Sequence, residues 1–134
     1  MPASEPARLV PADARVASDA TPGMVREEAI AEPGLWAGLV RTAGRTTSGW
    51  HHHGDHDSSI YVVGGTLRME SGPGGADVVD AAAGDFLFVP RGAIHREANP
   101  GDAESQLVVV RAGTGPLVVN VDGPAPPGGG GAAS

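Results

Sequence analysis

The chain has 134 residues and a formal net charge of −7, and all nine of its basic residues are arginines spread along the chain. This length predicts one domain with a modest core. Scattered arginines form no basic stripe, which argues against nucleic-acid binding, and no apolar run reaches the roughly 18 residues of a membrane span. Without cysteine or a basic-then-apolar leader, a cytoplasmic protein is expected.

The two ends of the chain differ in composition from its middle. Residues 1–23 are rich in Ala and Pro and are predicted to form a disordered or loosely docked arm. Residues 123–134 form a Gly/Pro-rich segment that cannot pack a core and is predicted to be a flexible tail. The folded domain is therefore expected over 24–122, with one weakly helical pattern at Met24–Ala31.

Short apolar runs separated by Gly, Pro and Asp fill this middle region. They cover residues 35–40, 60–63, 66–69, 77–79, 86–89, 106–111 and 117–121. Short, regularly spaced runs rich in β-branched residues predict an all-β fold, either an antiparallel sandwich or a barrel. Trp36 and Phe86 are predicted to pack in its core.

The five histidines fall in two places, with His51, His52, His53 and His56 in one cluster and His95 alone. On a strand, His51 and His53 point to the same face with Cα atoms about 6.5–7 Å apart. Two imidazoles at that spacing can converge on one ion with bonds of about 2.0–2.1 Å. His52 points the other way. A third ligand must then come from elsewhere in the chain, and His95, the one histidine outside the cluster, is the predicted residue.

The spacing of these residues resembles the two sequence motifs of the cupin family. The second motif is matched at every position, by Gly84, Pro90, Gly92, His95 and Asn99. The first is matched by His51, His53, Asp57 and Gly64, with Asp in place of the usual Glu. The resemblance implies a jelly-roll barrel, the double-stranded β-helix of cupins, and is closest to small single-domain bacterial proteins described as RmlC-like.

The resemblance also implies one divalent metal ion held by His51, His53 and His95, with iron, manganese, nickel, cobalt, copper or zinc all open. The fourth ligand depends on the register of the first motif. If Gly64 closes the motif, the carboxylate position is Asp57. If Gly65 closes it, the position is Ser58, a poor ligand, and His56 or water would complete the site.

Other polar and aromatic side chains near the motifs are weaker candidates. Trp50, Tyr61 and Arg96 are candidate substrate-binding residues; packing is an equal alternative for Trp50, while packing is favoured for Tyr61 and a surface role for Arg96. Glu97 lies two residues after His95 and is expected at most to orient an imidazole.

The site and the resemblance together favour a metal-dependent enzyme, an oxidoreductase or isomerase. The expected chemistry is dioxygenase-like oxidation or isomerisation of a small organic molecule. The alternatives are a non-catalytic small-ligand binding or sensing protein, and a sugar (phosphate) isomerase or epimerase. The expected partners are a small-molecule ligand and, from the resemblance, a second copy in a homodimer.

Overall fold

A computed structural model describes residues 4–19 and 21–124, which form antiparallel strands with two short 3₁₀ turns. The strands are β1 Val16–Ala17, β2 Met24–Glu32, β3 Leu35–Thr42, β4 Thr46–Thr47, β5 His51–His52, β6 Asp55–Gly64, β7 Thr66–Ser71, β8 Asp77–Ala82, β9 Phe86–Val89, β10 Arg96–Asn99, β11 Ser105–Thr114 and β12 Val119–Asn120. The turns are Ala12–Ala14 and Pro73–Gly75. In this part of the chain, therefore, no helix could cross a lipid bilayer.

The strands form two main sheets and a short ribbon, which confirms the predicted all-β fold. One sheet has the order β1-β2-β3-β11-β6-β9, the second has the order β4-β10-β7-β8, and β12 pairs with β5. Neighbours in each sheet run antiparallel, as expected for a jelly-roll barrel. Strand alternation sends every second side chain into the space between the sheets.

The core is built from these inward side chains. Trp36 is buried as predicted, together with Val40, Val62 and Leu107. The prediction for Phe86 is wrong: its side chain is 72% exposed. The reason is the side-chain alternation along β9, which places Val89 on the inward face and Phe86 on the outward face.

The weakly helical pattern at Met24–Ala31 lies within strand β2. The strand forms a hairpin with β3 through a turn in which Gly34 adopts a left-handed backbone with φ of 83°. Pairing along the whole of β3 outweighs the local helix preference of a segment with three Glu and two Ala residues. Val16–Ala17 pairs with the outer side of β2, whereas most of the predicted tail, from residue 125, lies outside the described residues.

Candidate metal centre

A pair of reciprocal backbone hydrogen bonds brings the two histidine regions together. The amide of His51 donates to the carbonyl of His95, and the amide of His95 donates to the carbonyl of His51, both at 2.9 Å. The turn that precedes His95 is fixed by Gly92, which has φ of 73° and donates from its amide to the Gly54 carbonyl. The second motif thus returns the chain beside the first.

Three buried imidazoles meet at this point, as the sequence predicts. The ring centroids of His51 and His95 lie 4.3 Å apart, and those of His53 lie 5.0 Å from His95 and 5.1 Å from His51. One nitrogen from each ring lies within 4.8 Å of the others. Both His51 and His95 are 0% exposed. Three histidines this close inside a cupin-like barrel suggest a metal site.

Backbone carbonyls fix which nitrogen of each ring carries hydrogen. For the three histidines in chain order, Nδ1 lies 2.9, 2.8 and 2.9 Å from the carbonyl oxygens of Gly49, Leu117 and Ala93. A carbonyl only accepts hydrogen bonds, so each Nδ1 donates and each Nε2 keeps a free lone pair. At His51 and His95 that Nε2 is buried without a hydrogen-bond partner. This is the tautomer in which a histidine binds metal through Nε2.

A buried carboxylate faces the same two lone pairs. Oε2 of Glu97 lies 3.3 Å from Nε2 of His51 and 3.6 Å from Nε2 of His95, and the residue is only 3% exposed. Because Nδ1 holds the hydrogen of each neutral ring, neither contact is a hydrogen bond. The lone pairs of the two Nε2 atoms face the lone pairs of the Glu97 oxygen and repel them. A cation between the three atoms would turn this repulsion into coordination.

The protonation states suit a metal. Burial, more than any other effect, lowers the pKa of His51. Burial and then the charge of Arg111 lower the pKa of His53 to about 2, so both rings are neutral near pH 7. Burial raises the pKa of the Glu97 carboxyl, whereas the His51 and His95 rings, when they carry a second proton on Nε2, bring it well below its usual range. Neutral imidazoles and an ionised carboxylate are the forms that bind metal.

Asp57, the fourth ligand predicted if Gly64 closes the first motif, is not among the clustered side chains. It lies on the outward phase of β6, where its Oδ2 accepts from Nη2 of Arg91 at 3.0 Å and its Oδ1 accepts from the Arg91 amide. This pairing lowers the pKa of Asp57. His56 is buried, but its Nδ1 donates to the His53 carbonyl and it lies outside the three-histidine group.

The glycine that closes the first motif explains this placement. Gly65 has φ of +79°, and a Cβ there would lie 2.9 Å from the Cα of Ser105. Gly64 has neither constraint. With Gly65 in the motif position, the usual carboxylate falls on Ser58, which faces inward and is buried. The carboxylate near the three histidines comes instead from Glu97, on a different strand.

The period-two rule that groups His51 with His53 also groups His95 with Glu97, because a strand places residues two apart on one face. That pattern in the sequence could have identified Glu97 as a candidate ligand, whereas the family motif led to β6. His52 follows the same rule in the opposite sense. It points away from the cluster, and its Nδ1 accepts from the Gly54 amide.

The three candidate substrate-binding residues lie elsewhere. Tyr61 is on the outward phase of β6 with its ring 4.9 Å from that of Phe86. Arg96 stacks on Trp50, with its guanidinium carbon 4.6 Å from the ring centroid, and pairs with Glu70. These contacts are packing and ion-pair contacts, and none involves the three histidines.

Comparison with known proteins defines the class. The Cupin domain family matches residues 38–111, more than half of the chain, and this span includes the three histidines and Glu97. The chain therefore belongs to the cupin family. A search of curated proteins finds no match.

Solved structures share the fold at low sequence identity. KdgF from Halomonas sp. is 21% identical with a TM-score of 0.66, over 81% of this chain and 96% of that one. A protein with a double-stranded beta-helix domain from Klebsiella pneumoniae subsp. pneumoniae is 18% identical with a TM-score of 0.69, over 91% and 98%. The polyketide cyclase RemF from Streptomyces resistomycificus is 19% identical with a TM-score of 0.69, over 86% and 85%.

Proposed function

We propose that this cupin is a metal-dependent enzyme that oxidises or isomerises a small organic molecule. The observation that carries the proposal is the convergence of buried lone pairs: Nε2 of His51 and His95 lack partners and face Oε2 of Glu97. We further propose that His53 completes a set of three nitrogens and one oxygen. This donor set suits iron, manganese, cobalt, nickel, copper or zinc.

The chain's own residues would hold the ion and leave part of its surroundings to a ligand. A bound divalent ion would polarise a substrate oxygen as a Lewis acid or, if redox-active, support reaction with O₂. The carbonyls of Gly49, Leu117 and Ala93 hold the three rings in place through Nδ1. Around iron, manganese, cobalt or nickel, four protein donors would leave positions open for a ligand, whereas around zinc they would make a closed structural site.

Elemental analysis of protein purified without a histidine tag tests the metal. We expect about one divalent ion per chain in the wild type and loss of that ion in His51→Ala and His95→Ala. His52→Ala is the matched control, since His52 lies in the same run but points away from the cluster. Wild type without bound metal, or equal loss in all three variants, would overturn the assignment.

Turnover separates an enzyme from a binding module. Iron-loaded protein is supplied with a library of small organic molecules. With a substrate it should either consume O₂ or convert one isomer to another, and NMR detects the second outcome. His95→Ala should abolish that activity. Metal-dependent binding of a library compound with no conversion would instead support the non-catalytic alternative.

We also propose a homodimer through the outer face of the six-stranded sheet. Exposed apolar side chains lie side by side there on β6, β9 and β11; they are Tyr61, Val63, Phe86, Phe88, Val108 and Val110. A contiguous exposed apolar patch marks an interaction site. Light scattering should give a dimer for the wild type and a monomer for the double variant Phe86→Ser/Phe88→Ser. A monomeric wild type would contradict the proposal.

A further inference from the structure

A buried arginine without a full set of partners lies inside the barrel. Arg111, on the inward phase of β11, is 2% exposed, and its guanidinium carbon lies 4.5 Å from the centroid of the Trp36 ring. Its Nε and Nη1 have no hydrogen-bond partner. Burying a charged donor in this way is costly unless something binds it.

A second unpartnered group lies directly beside it. Arg111 is paired in register with Ser58 of β6, and both side chains face inward. Ser58 is 1% exposed, and its Oγ has no hydrogen-bond partner. Directly paired residues on one face of an antiparallel sheet have Cβ atoms about 4.5–5.5 Å apart. The two side chains therefore enter the barrel from neighbouring positions on one face of the sheet.

The charge balance of the interior calls for an anion. Among the residues that the structure describes, the buried charged side chains are Arg26, Glu97 and Arg111. Arg26 already donates to the Thr21 hydroxyl and the Asp19 carbonyl. Two cations and one carboxylate leave an excess of one positive charge, and a divalent metal would increase it. Burial, followed by repulsion from Arg26, lowers the pKa of Arg111 to about 9, which still leaves it charged at neutral pH.

This cationic region adjoins the histidine cluster and an open pocket. The charge of Arg111 acts on His53 and Glu97, so the three groups share one part of the interior. A pocket of about 310 Å³ is lined by Trp36, which stacks on Arg111, and by Leu117, whose carbonyl holds His53. A small molecule in this pocket would contact one neighbour of Arg111, Trp36, and one neighbour of His53, Leu117, although neither Arg111 nor the three histidines line the pocket themselves.

We propose that Arg111 and Ser58 bind the carboxylate of a small organic acid, which is the substrate class of this site. The inference rests on the proposed function, because it places the reacting part of that acid at the metal held by the three histidines. A carboxylate accepts hydrogen bonds from both free groups, and its negative charge offsets part of the positive charge that the two arginines and a bound metal leave in the interior. Phosphate has four oxygen atoms for the three free donor atoms, Nε and Nη1 of Arg111 and Oγ of Ser58.

Binding of simple acids to cobalt-loaded protein tests the proposal. The probes are formate, acetate and pyruvate, with pyruvamide as the uncharged counterpart of pyruvate and inorganic phosphate as the competing anion. Cobalt content is measured first. We expect at least one carboxylate to raise the melting temperature and change the cobalt absorption spectrum of the wild type. Its dissociation constant should rise about tenfold or more in Arg111→Met, and by less in Ser58→Ala.

Two further variants guard against misfolding and nonspecific charge effects. Arg91→Met removes an exposed arginine that pairs with Asp55 and Asp57, and it should bind the probes as the wild type does. Arg111→Lys keeps the buried charge and should retain part of the affinity. Without any probe, Arg111→Met should melt at the same or a higher temperature than the wild type, because it removes an incompletely paired buried cation.

The outcomes separate this inference from the proposed function. Equal carboxylate binding by wild type and Arg111→Met, no binding of any carboxylate, or equal binding of pyruvate and pyruvamide would overturn the carboxylate site alone, provided cobalt is bound. Arg111-dependent binding of phosphate in place of carboxylates would overturn the substrate class. Carboxylate binding that depends on Arg111 in protein unable to hold cobalt would sustain the anion site and overturn the metal centre.

Discussion

Along strands β6 and β11 the interior of the barrel changes from apolar to polar. Ile60 and Leu107 lie on the inward phase of these strands and pack in a continuous apolar core. Further along the same phase, Ser58 and Arg111 are just as buried but have polar atoms without partners. The apolar half therefore stabilises the fold, whereas the polar half costs stability that only a bound ion or ligand would recover.

The largest effect should come from the apolar half. Leu107 is 0% exposed, so Leu107→Ala leaves a cavity and should lower the free energy of unfolding by about 2–5 kcal/mol. Chemical denaturation of the apo-protein measures this loss. Metal content at a temperature where the variant is folded should stay at the wild-type level. Loss of metal from a folded variant would show that the two halves are not independent.

The next effect belongs to the polar half. Glu97→Gln removes the negative charge of a proposed metal ligand but keeps the shape of its side chain. Metal affinity should fall by about a hundredfold or more, which exceeds the usual loss when a residue that only orients a ligand is replaced. Competition with a chelator measures the affinity. Stability of the apo-protein should change little or rise, because the carboxylate faces two lone pairs. Unchanged metal affinity would remove Glu97 from the site.

A smaller effect should appear at the turn that sets the register of the first motif. Gly65→Ala places a Cβ in the left-handed region and against the Ser105 backbone, and it should lower the free energy of unfolding by about 1–2 kcal/mol. Gly64→Ala is the matched control, since a Cβ there meets nothing within 4 Å. Thermal or chemical denaturation compares the two. Equal losses would reverse the assignment of the motif glycine.

The smallest effect is expected at Asp57. Its pairing with Arg91 is at the surface, where solvent screening leaves such ion pairs with little effect on stability. Asp57→Asn should leave metal affinity at the wild-type level, in contrast to Glu97→Gln. A chelator titration run on both variants together makes the comparison, and a metal defect in Asp57→Asn would favour the original sequence interpretation.

The strands and the three histidines could be predicted from the sequence because both depend on local period-two patterns. The alternation that pairs His51 with His53 is visible without knowledge of the fold, and β9 matches its predicted range. His95 followed as the one histidine outside the cluster, and the family resemblance supported it. The phase of β9 could not be predicted, because Phe86 and Val89 are both apolar and only the sheet decides which is inward.

The remaining parts of the site depend on contacts across strands. Ser58 and Arg111 are far apart in the chain and meet only through the register of β6 with β11. Glu97 was visible as a residue two positions after His95, but the motif directed attention to the carboxylate on β6. The left-handed backbone of Gly65, which decides that register, cannot be distinguished in the sequence from that of its neighbour Gly64.

Anomalous diffraction from crystals of untagged, metal-loaded protein tests the central claim most directly. We predict one strong peak bonded to Nε2 of His51, His53 and His95 and to a carboxylate oxygen of Glu97, at about 2.0–2.2 Å. A peak bonded to Asp57 or His56, or crystals of the loaded protein with no peak between the three imidazoles, would contradict it.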